Sequence, residues 1–529
     1  MNTVKDIVIF GGKKGADKPQ YTFYNFDGEV EMKTFAQVNY DLTGLGQYLY
    51  KLGLRGKKVA ILSENSYYWI ACYFSIITGK ITAVPMDPKL PDDDIIDIMI
   101  RSGCNAIYYS EDFKDTVEKM KKTDGVVIEQ YIKIEDFYSM VEEGHNEVKN
   151  GVESYLEDEV LPSDLAFLVY TSGTTGKSKG VMLSQENVAA DSVASCRVMT
   201  GGPAIGFLPL HHAFSWVGAL FSGNLLTEWG FICRSLKDIQ KDMNTYHPQN
   251  FSAVPLAVET IYKKIWFTAK KSGREEMLKK GLKISNFLLK LGIDKRRKIF
   301  SEILNNLGGN LEMIVCGGAY LDEQYEKGME AFGIKIINGY GITECSPAVT
   351  CNRLDAYKVG SVGIPLPCNE IKIKDPDEDG IGEICVKGKN VMVGYYNDPE
   401  ATAEVFDGDW FLTGDYGYID EDGFLFFKGR KKNLIILSNG KNVSPEEIED
   451  KLSTIDYVKE VVVYEEKGYI TAEFFLDTVE TPDAKDRIKA DVNEINRKMP
   501  SYKQVTRIKT RDNEFPKTTT LKILRDYKK

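Results

Sequence analysis

Leu165-Ala-Phe-Leu-Val-Tyr170-Thr-Ser-Gly-Thr-Thr-Gly-Lys-Ser-Lys-Gly180 decides how this chain is read. Its apolar first half predicts a buried strand. In the second half Gly173, Gly176 and Gly180 let backbone N–H groups approach phosphate oxygens that a Cβ would hold away. Thr171, Ser172, Thr174, Thr175 and Ser178 add hydroxyls, and Lys177 and Lys179 add ammonium groups, so the loop suits a polyphosphate. A Walker A loop places four residues between its first glycine and Gly-Lys-Ser/Thr; here only two separate Gly173 from Gly176-Lys177-Ser178, which excludes it. By itself the stretch reads equally as a Gly/Thr-rich surface loop.

The chain of 529 residues is long enough for roughly three or four domain-sized units. Its net charge of -11 and pI near 5.3 argue against nucleic acid as a partner, because phosphate backbones need a basic face. Nine cysteines stand singly without a C-x-x-C pair, alongside four histidines, so neither a disulfide framework nor a zinc site is suggested and a reducing cytoplasm is the expected compartment. Met1-Asn-Thr-Val-Lys-Asp lacks a signal pattern, and the apolar run Trp69 to Ile77 is too short to span a bilayer. Membrane contact is therefore expected to be peripheral at most.

Thr34 to Leu52 has helix-spaced apolar residues, while Lys58 to Leu62 and Ile81 to Pro85 read as strands, an alternation that predicts parallel-sheet α/β architecture. Glu142 to Glu159, acidic and poor in apolar residues, reads as a surface connection and a subdomain boundary. From Pro365 to Arg430 short strands are broken by the turn sequences Asp375-Pro-Asp-Glu-Asp-Gly380 and Asp420-Glu-Asp-Gly423, predicting a small β unit. Beyond it, a helix opens at Ser444-Pro445 and strands run over Val461 to Tyr464 and Tyr469 to Phe475, a small α+β domain. Lys263 to Lys298, basic in an acidic protein, reads as a solvated helical insert with buried apolar residues in preference to a lipid-facing helix.

After the loop come Leu208-Pro-Leu-His-His212, Gly317-Gly-Ala319, Asn338-Gly-Tyr-Gly-Ile-Thr-Glu344, Thr413-Gly-Asp415, Lys428-Gly-Arg-Lys-Lys-Asn433, Ser438-Asn-Gly-Lys-Asn-Val443 and Pro516-Lys-Thr-Thr-Thr-Leu-Lys522. In this order, over nearly the whole chain, they resemble the adenylate-forming superfamily of acyl-CoA synthetases, peptide-synthetase adenylation domains and luciferases. The resemblance implies a large N-terminal AMP-binding domain over residues 1–431, made of α/β subdomains and a small β-barrel-like unit. A mobile C-terminal lid over 432–529 follows it, with Lys432 as the hinge.

The same resemblance assigns roles. ATP would be held by Thr171, Ser172, Gly173, Thr174, Thr175, Gly176 and Lys177. Gly317, Gly318 and Ala319, with Asn338, Gly339, Tyr340 and Gly341, would wall the adenine. Asp415 and Arg430 would take the ribose. Thr171 and Glu344 would hold Mg²⁺, which accepts oxygen ligands and keeps most of its waters. Thr343 would lie near the α-phosphate. Lys522 would bridge the attacking carboxylate and that phosphate, with Lys517 the competing lysine, although Leu521 stands where relatives have glycine. Gly440 and Lys441 would lie on the pantetheine loop.

The implied activity is an acid–thiol ligase that uses ATP and CoA as co-substrates and Mg²⁺ as cofactor. His212 would border the acid, with no general base required for an acid already ionised at pH 7. Gly341, where short-acyl relatives carry Trp, together with the basic insert, points to medium- or long-chain fatty acids. Transfer to an acyl-carrier protein is an alternative. An amino-acid-activating domain would need a buried Asp for the ammonium, and Ser215 stands where one is sought. A degenerate nucleotide-binding module is the reading from a different class.

Overall fold

The computed structural model describes residues 1–171, 178–196, 202–226, 228–233, 238–436, 442–517, 523 and 525. The chain divides into two compact units, one of Met1–Glu370 with Val386–Phe411 and one of Ile371–Cys385 with Leu412–Lys529.

The first unit contains two large mixed sheets. In the seven-stranded sheet, Leu165–Thr171 lies between Lys179–Ser184 and Thr82–Pro85, and Lys58–Leu62, Ala106–Tyr109 and Gln130–Lys133 continue it in parallel. The nine-stranded sheet has a parallel centre that includes Asn250–Ala253, Met313–Cys316 and Lys335–Gly341, with antiparallel strands toward both edges. Helix Tyr67–Ile77 is buried along its whole length. Its Tyr67 stacks on Phe23 of one sheet at 4.3 Å and its Tyr73 on Phe167 of the other at 5.3 Å between ring centroids. A helix covered by a sheet on either side must be apolar all round, which accounts for the run from Trp69 to Ile77.

Two expectations need correction. Glu142 to Glu159 is not a connection, since helix Phe137–Lys149 packs on helix Phe35–Lys51 and the short helix Ser154–Glu157 follows. Few apolar residues suffice because Gly44 and Gly144 let the two helices touch backbone to backbone; a Cβ on Gly144 would sit 1.8 Å from the Gly44 carbonyl oxygen. Nor does a subdomain boundary fall there, because the strand Leu165–Thr171 joins the same sheet as Lys58–Leu62. The basic insert is helical, over Pro255–Lys271 and Glu275–Lys290, but several of its apolar residues lie exposed, Met277 and Phe287 among them.

Trp410–Ile419, in the second unit from Leu412 onward, pairs antiparallel with Leu425–Arg430 in a small β sheet. Beyond Lys431–Asn433, helix Pro445–Ser453 is capped by the Ser444 hydroxyl, which accepts from the Glu447 amide. Strands Val458–Glu466, Tyr469–Leu476 and Arg507–Arg511 form a sheet covered by helices, with Ile448, Leu452, Val463, Phe474, Ile488 and Val492 in its core. Among the described residues no helix is long and apolar enough to cross a membrane, and no disulfide joins the nine cysteines.

Candidate active site

The polyphosphate-type loop joins two antiparallel strands, with Tyr170 opposite Gly180 and Thr171 opposite Lys179. A Walker A loop instead runs from a strand into a helix, so topology agrees with spacing in excluding one. Ser172, Gly173, Thr174, Thr175, Gly176 and Lys177 lie outside the described residues, but both ends of the loop are fixed. Thr171 ends its strand half-buried. At the other end Arg101 donates to the Ser178 carbonyl at 2.7 Å and to its hydroxyl at 2.8 Å, and its guanidinium lies 5.0 Å from the Tyr170 ring centroid.

From this hairpin the contacts lead to Glu344. The strand Lys179–Ser184 pairs with Gly394–Tyr395, and Lys179 Nζ lies 4.8 Å from the Tyr395 ring centroid. The Tyr395 hydroxyl donates to Glu344 Oε1 at 2.9 Å, and the Met392 amide donates to the Glu344 carbonyl at 2.8 Å. Burial, with the Glu344 carboxylate second, pushes the Tyr395 hydroxyl pKa up, so the phenol stays a neutral donor. Thr343 and Glu344, both half-buried, form a short 3₁₀ turn with Cys345.

That turn is held from behind by Asn390. Its Nδ2 donates to the Cys345 carbonyl at 2.8 Å and to Asp191 Oδ1 at 3.1 Å, and its carbonyl accepts from the Ser346 hydroxyl at 2.8 Å. Asp191 is fully buried, and burial raises its carboxyl pKa well above the usual range.

The expected adenine wall is assembled from strand ends in register. Gly317 follows Met313–Cys316, whose Cys316 lies opposite Asn338. A Cβ on Gly317 would lie 3.5 Å from the Gly339 carbonyl oxygen and 3.6 Å from the Phe214 ring, so three motifs distant in sequence meet here. Gly318 adopts a φ of 86° and, with Ala319, is exposed. Asn338 is buried, and its Oδ1 accepts no hydrogen bond among the described residues. Tyr340 is buried opposite Thr350.

Gly341 has a structural reason to be glycine. A Cβ there would lie 2.2 Å from the Pro347 carbonyl oxygen, where neighbouring strands close on backbone. Its small size therefore serves the hairpin and does not by itself argue for a deep acyl pocket.

The His211 and His212 rings lie tilted with centroids 4.4 Å apart, and His211 Nε2 lies 3.5 Å from Asp87 Oδ2. Their loop is pinned by Asn65, whose side chain binds Leu208 and Leu210 backbone atoms at 2.8 and 2.9 Å. The Ser215 hydroxyl donates to the Pro209 carbonyl at 2.8 Å and so is a loop brace. The chain then runs through a π-helix, Trp216–Phe221, a distortion frequent at functional sites.

In the second unit Asp415 and Arg430 face each other across paired strands, with Arg430 Nε 3.4 Å from Asp415 Oδ1. Asp415 is only 2% exposed, whereas Arg430 is exposed. Lys432 is exposed within Lys431–Asn433, and its neighbour Lys431 pairs with Glu383 at 2.7 Å. Lys517 is bound by Glu460 and, at 2.7 Å, by Glu514. Gly440, Lys441, Leu521 and Lys522 lie outside the described residues.

Sequence reasoning missed Arg101, Tyr395 and Asn390. Gly394-Tyr-Tyr396 was the available signal for Tyr395, but only pairing with the strand after the loop brings it to Glu344.

The AMP-binding enzyme pattern matches residues 12–396, and the AMP-binding enzyme C-terminal domain pattern matches 432–527. Long-chain-fatty-acid–CoA ligase 6 of Mus musculus is 30% identical over 456 residues; the match covers 80% of this chain and 65% of that protein's length. The long-chain-fatty-acid–CoA ligase of Escherichia coli O6:H1 is 29% identical over 556 aligned positions, covering 96% of this chain and 91% of that one. A solved anthranilate CoA ligase in complex with anthranoyl-AMP shares the fold at a TM-score of 0.79 and 21% identity, over 98% of this chain and 95% of that one. Matched over most of its length by the AMP-binding enzyme pattern, the chain belongs to the adenylate-forming superfamily that its motifs resemble.

Proposed function

We propose that this protein is an ATP-dependent carboxylic acid–CoA ligase that makes an acyl-adenylate and then an acyl-CoA, with medium- or long-chain fatty acids as substrates. The observation that carries this reading is the link from the strand leaving the glycine-rich loop through Tyr395 to Glu344, which joins the described end of that loop to an oriented carboxylate. The fatty-acid part is supported by the relatives named as long-chain-fatty-acid–CoA ligases and by the basic insert.

In the first half-reaction a carboxylate oxygen bonds to the α-phosphorus of ATP while the bond to the β-phosphate oxygen breaks, and pyrophosphate leaves with the electron pair. Two anions must meet, so neutralising charge is the central task. Glu344 and Thr171 offer hard oxygen donors, a set that fits Mg²⁺, which would neutralise phosphate charge there. Tyr395 orients the Glu344 carboxylate, and Arg101 fixes the exit of the loop. The Oδ1 of buried Asn338, without a partner among the described residues, suits an amino donor such as that of adenine. Asp415, beside Arg430, suits a diol, because a carboxylate accepts from both hydroxyls.

Lys522 is assigned to the attacking carboxylate by family resemblance. Lys517 competes poorly, since two carboxylates already hold it. In the second half-reaction the thiolate of CoA forms the C–S bond and AMP leaves; Gly440 and Lys441 would line its approach after rotation at Lys432. The nine cysteines without a disulfide are compatible with a reducing cytoplasm.

The test is pyrophosphate release with ATP, Mg²⁺ and acids of graded chain length, followed by thioester analysis with CoA or a holo carrier protein. Release should rise with chain length and acyl-CoA should accumulate. Preference for acetate, benzoates or amino acids would remove the fatty-acid reading, and thioester formed only on the carrier protein would remove CoA.

A further inference from the structure

The segment Lys263 to Lys298 opposes the charge of the rest of the molecule. It holds thirteen Lys and Arg against three acids in a protein of net charge -11, so an anionic surface attracts this region and repels most others. Within it, helix Glu275–Lys290 leaves Met277, Ile284 and Phe287 exposed to 67, 56 and 62%, and Leu291 just past its end to 58%.

Met277, Ile284 and Leu291 recur every seven residues, two helical turns, and therefore lie along one face; Phe287 widens it. This is not the core-facing side, because Ser285 is buried and Leu278, Leu282 and Leu289 are half-buried on an adjoining face. The helix thus carries a second apolar strip directed to solvent, a feature that soluble surfaces ordinarily avoid.

Lys280 stands on this strip and Lys283 and Lys290 flank it. None of the three makes a hydrogen bond or ion pair among the described residues, whereas Lys279 is held by Glu275 and Glu276 at 2.8 and 3.1 Å. Long apolar side chains beside uncommitted ammonium groups match the boundary between acyl chains and phosphate headgroups.

We propose that the face formed by Met277, Ile284, Phe287 and Leu291, flanked by Lys280, Lys283 and Lys290, docks on the surface of an anionic lipid bilayer. The apolar side chains enter the headgroup boundary and the lysines stay at the level of the lipid phosphates. A second copy of the chain is a poorer occupant, since like faces would bring their lysines together. An acidic protein would need a groove matched to this ridge, whereas a bilayer deforms around it.

The test is co-sedimentation of the full chain with vesicles of phosphatidylcholine alone and of phosphatidylcholine mixed with phosphatidylglycerol. Binding should appear with the anionic vesicles and weaken at high salt. Replacing Lys280, Lys283 and Lys290 together by Gln should lower binding about a hundredfold. Replacing Met277, Ile284, Phe287 and Leu291 together by Ser should abolish it at the same lipid concentration. Far-UV circular dichroism and thermal melts verify that each variant folds, and the lysine variant alone decides the question if the other does not. Failure of the unaltered chain to bind anionic vesicles overturns the proposal, including where it self-associates or binds an acidic protein instead. Binding unchanged in the lysine variant also overturns it.

Discussion

Two antiparallel hairpins, one in each unit, carry the two carboxylates on which the proposed chemistry depends, and they present them differently. The hairpin of Lys335–Gly341 and Ala348–Cys351 bears Glu344 in its turn; that of Trp410–Ile419 and Leu425–Arg430 bears Asp415 within a strand. Both have a register shift beside the functional residue, between Tyr340 and Gly341 in one and Tyr416 and Gly417 in the other. Such irregularities re-aim neighbouring side chains. Glu344, half-buried, takes a hydrogen bond from a neutral phenol and keeps capacity for a cation. Asp415 is buried and faces Arg430, a setting that suits the hydroxyl donors proposed for it. The first hairpin is positioned by backbone contact, the second by a charge pair.

Among variants that spare Glu344, the largest effect should come from Gly341→Ala. The added Cβ meets the Pro347 carbonyl, and backbone must move to relieve it. Urea unfolding should show a loss of about 1–3 kcal/mol. Pyrophosphate release should fall roughly a hundredfold, because Thr343 and Glu344 move with the turn. Unchanged activity would dissolve the contrast between the hairpins.

Asp415→Asn should act on nucleotide affinity. Losing charge-assisted hydrogen bonds to a diol corresponds to about 1.5–3 kcal/mol, so the KM for ATP should rise roughly tenfold to a hundredfold while kcat changes less. A fall in kcat at unchanged KM would place Asp415 elsewhere in the chemistry.

Tyr395→Phe leaves Glu344 in place and removes its orienting donor. Steady-state kcat/KM should drop roughly twofold to tenfold, since the Glu344 carboxylate and its charge stay in place and only its orientation loosens. A loss as large as that of Gly341→Ala would mean that the phenol does more than orient.

The smallest effect concerns Asp191, behind the first hairpin. Its folded pKa is raised by burial above the unfolded value. Its contribution to stability is therefore complete below the unfolded pKa and declines as pH rises through the folded one. Asp191→Asn, which never ionises, should lose less stability than the unaltered protein as pH rises from the ordinary aspartate value of 3.8 upward, as read from urea midpoints. Parallel pH profiles would show that Asp191 does not titrate with folding.

Much of this was legible in the sequence. Periodicity located Lys58–Leu62 and the helix over Phe35–Lys51, and Ser444-Pro445 marked the start of its helix, because local patterns and caps determine such elements. Motif order gave Glu344, Asp415 and Arg430, and the last two do meet. Tyr395, Asn390 and Arg101 were not legible, since their roles arise from strand pairings and side-chain reach across distant segments. The acidic residues from Glu142 onward concealed a helix whose packing depends on two glycines. Gly341 looked like an open pocket position because a sequence does not show which backbone lies opposite a missing Cβ.

If the Glu344 turn and the loop hairpin together form acyl-adenylate, as proposed, adenylation should proceed in the absence of CoA. Single-turnover analysis with ATP, Mg²⁺ and a long-chain fatty acid, without CoA, tests it most directly in the unaltered protein and in Glu344→Gln. Enzyme-bound acyl-adenylate and one equivalent of pyrophosphate are expected in the first, and a rate lower by roughly 10²–10³-fold in the second with an unchanged melting temperature. Pyrophosphate release without adenylate, or a Glu344→Gln variant as fast as the unaltered protein, would contradict it.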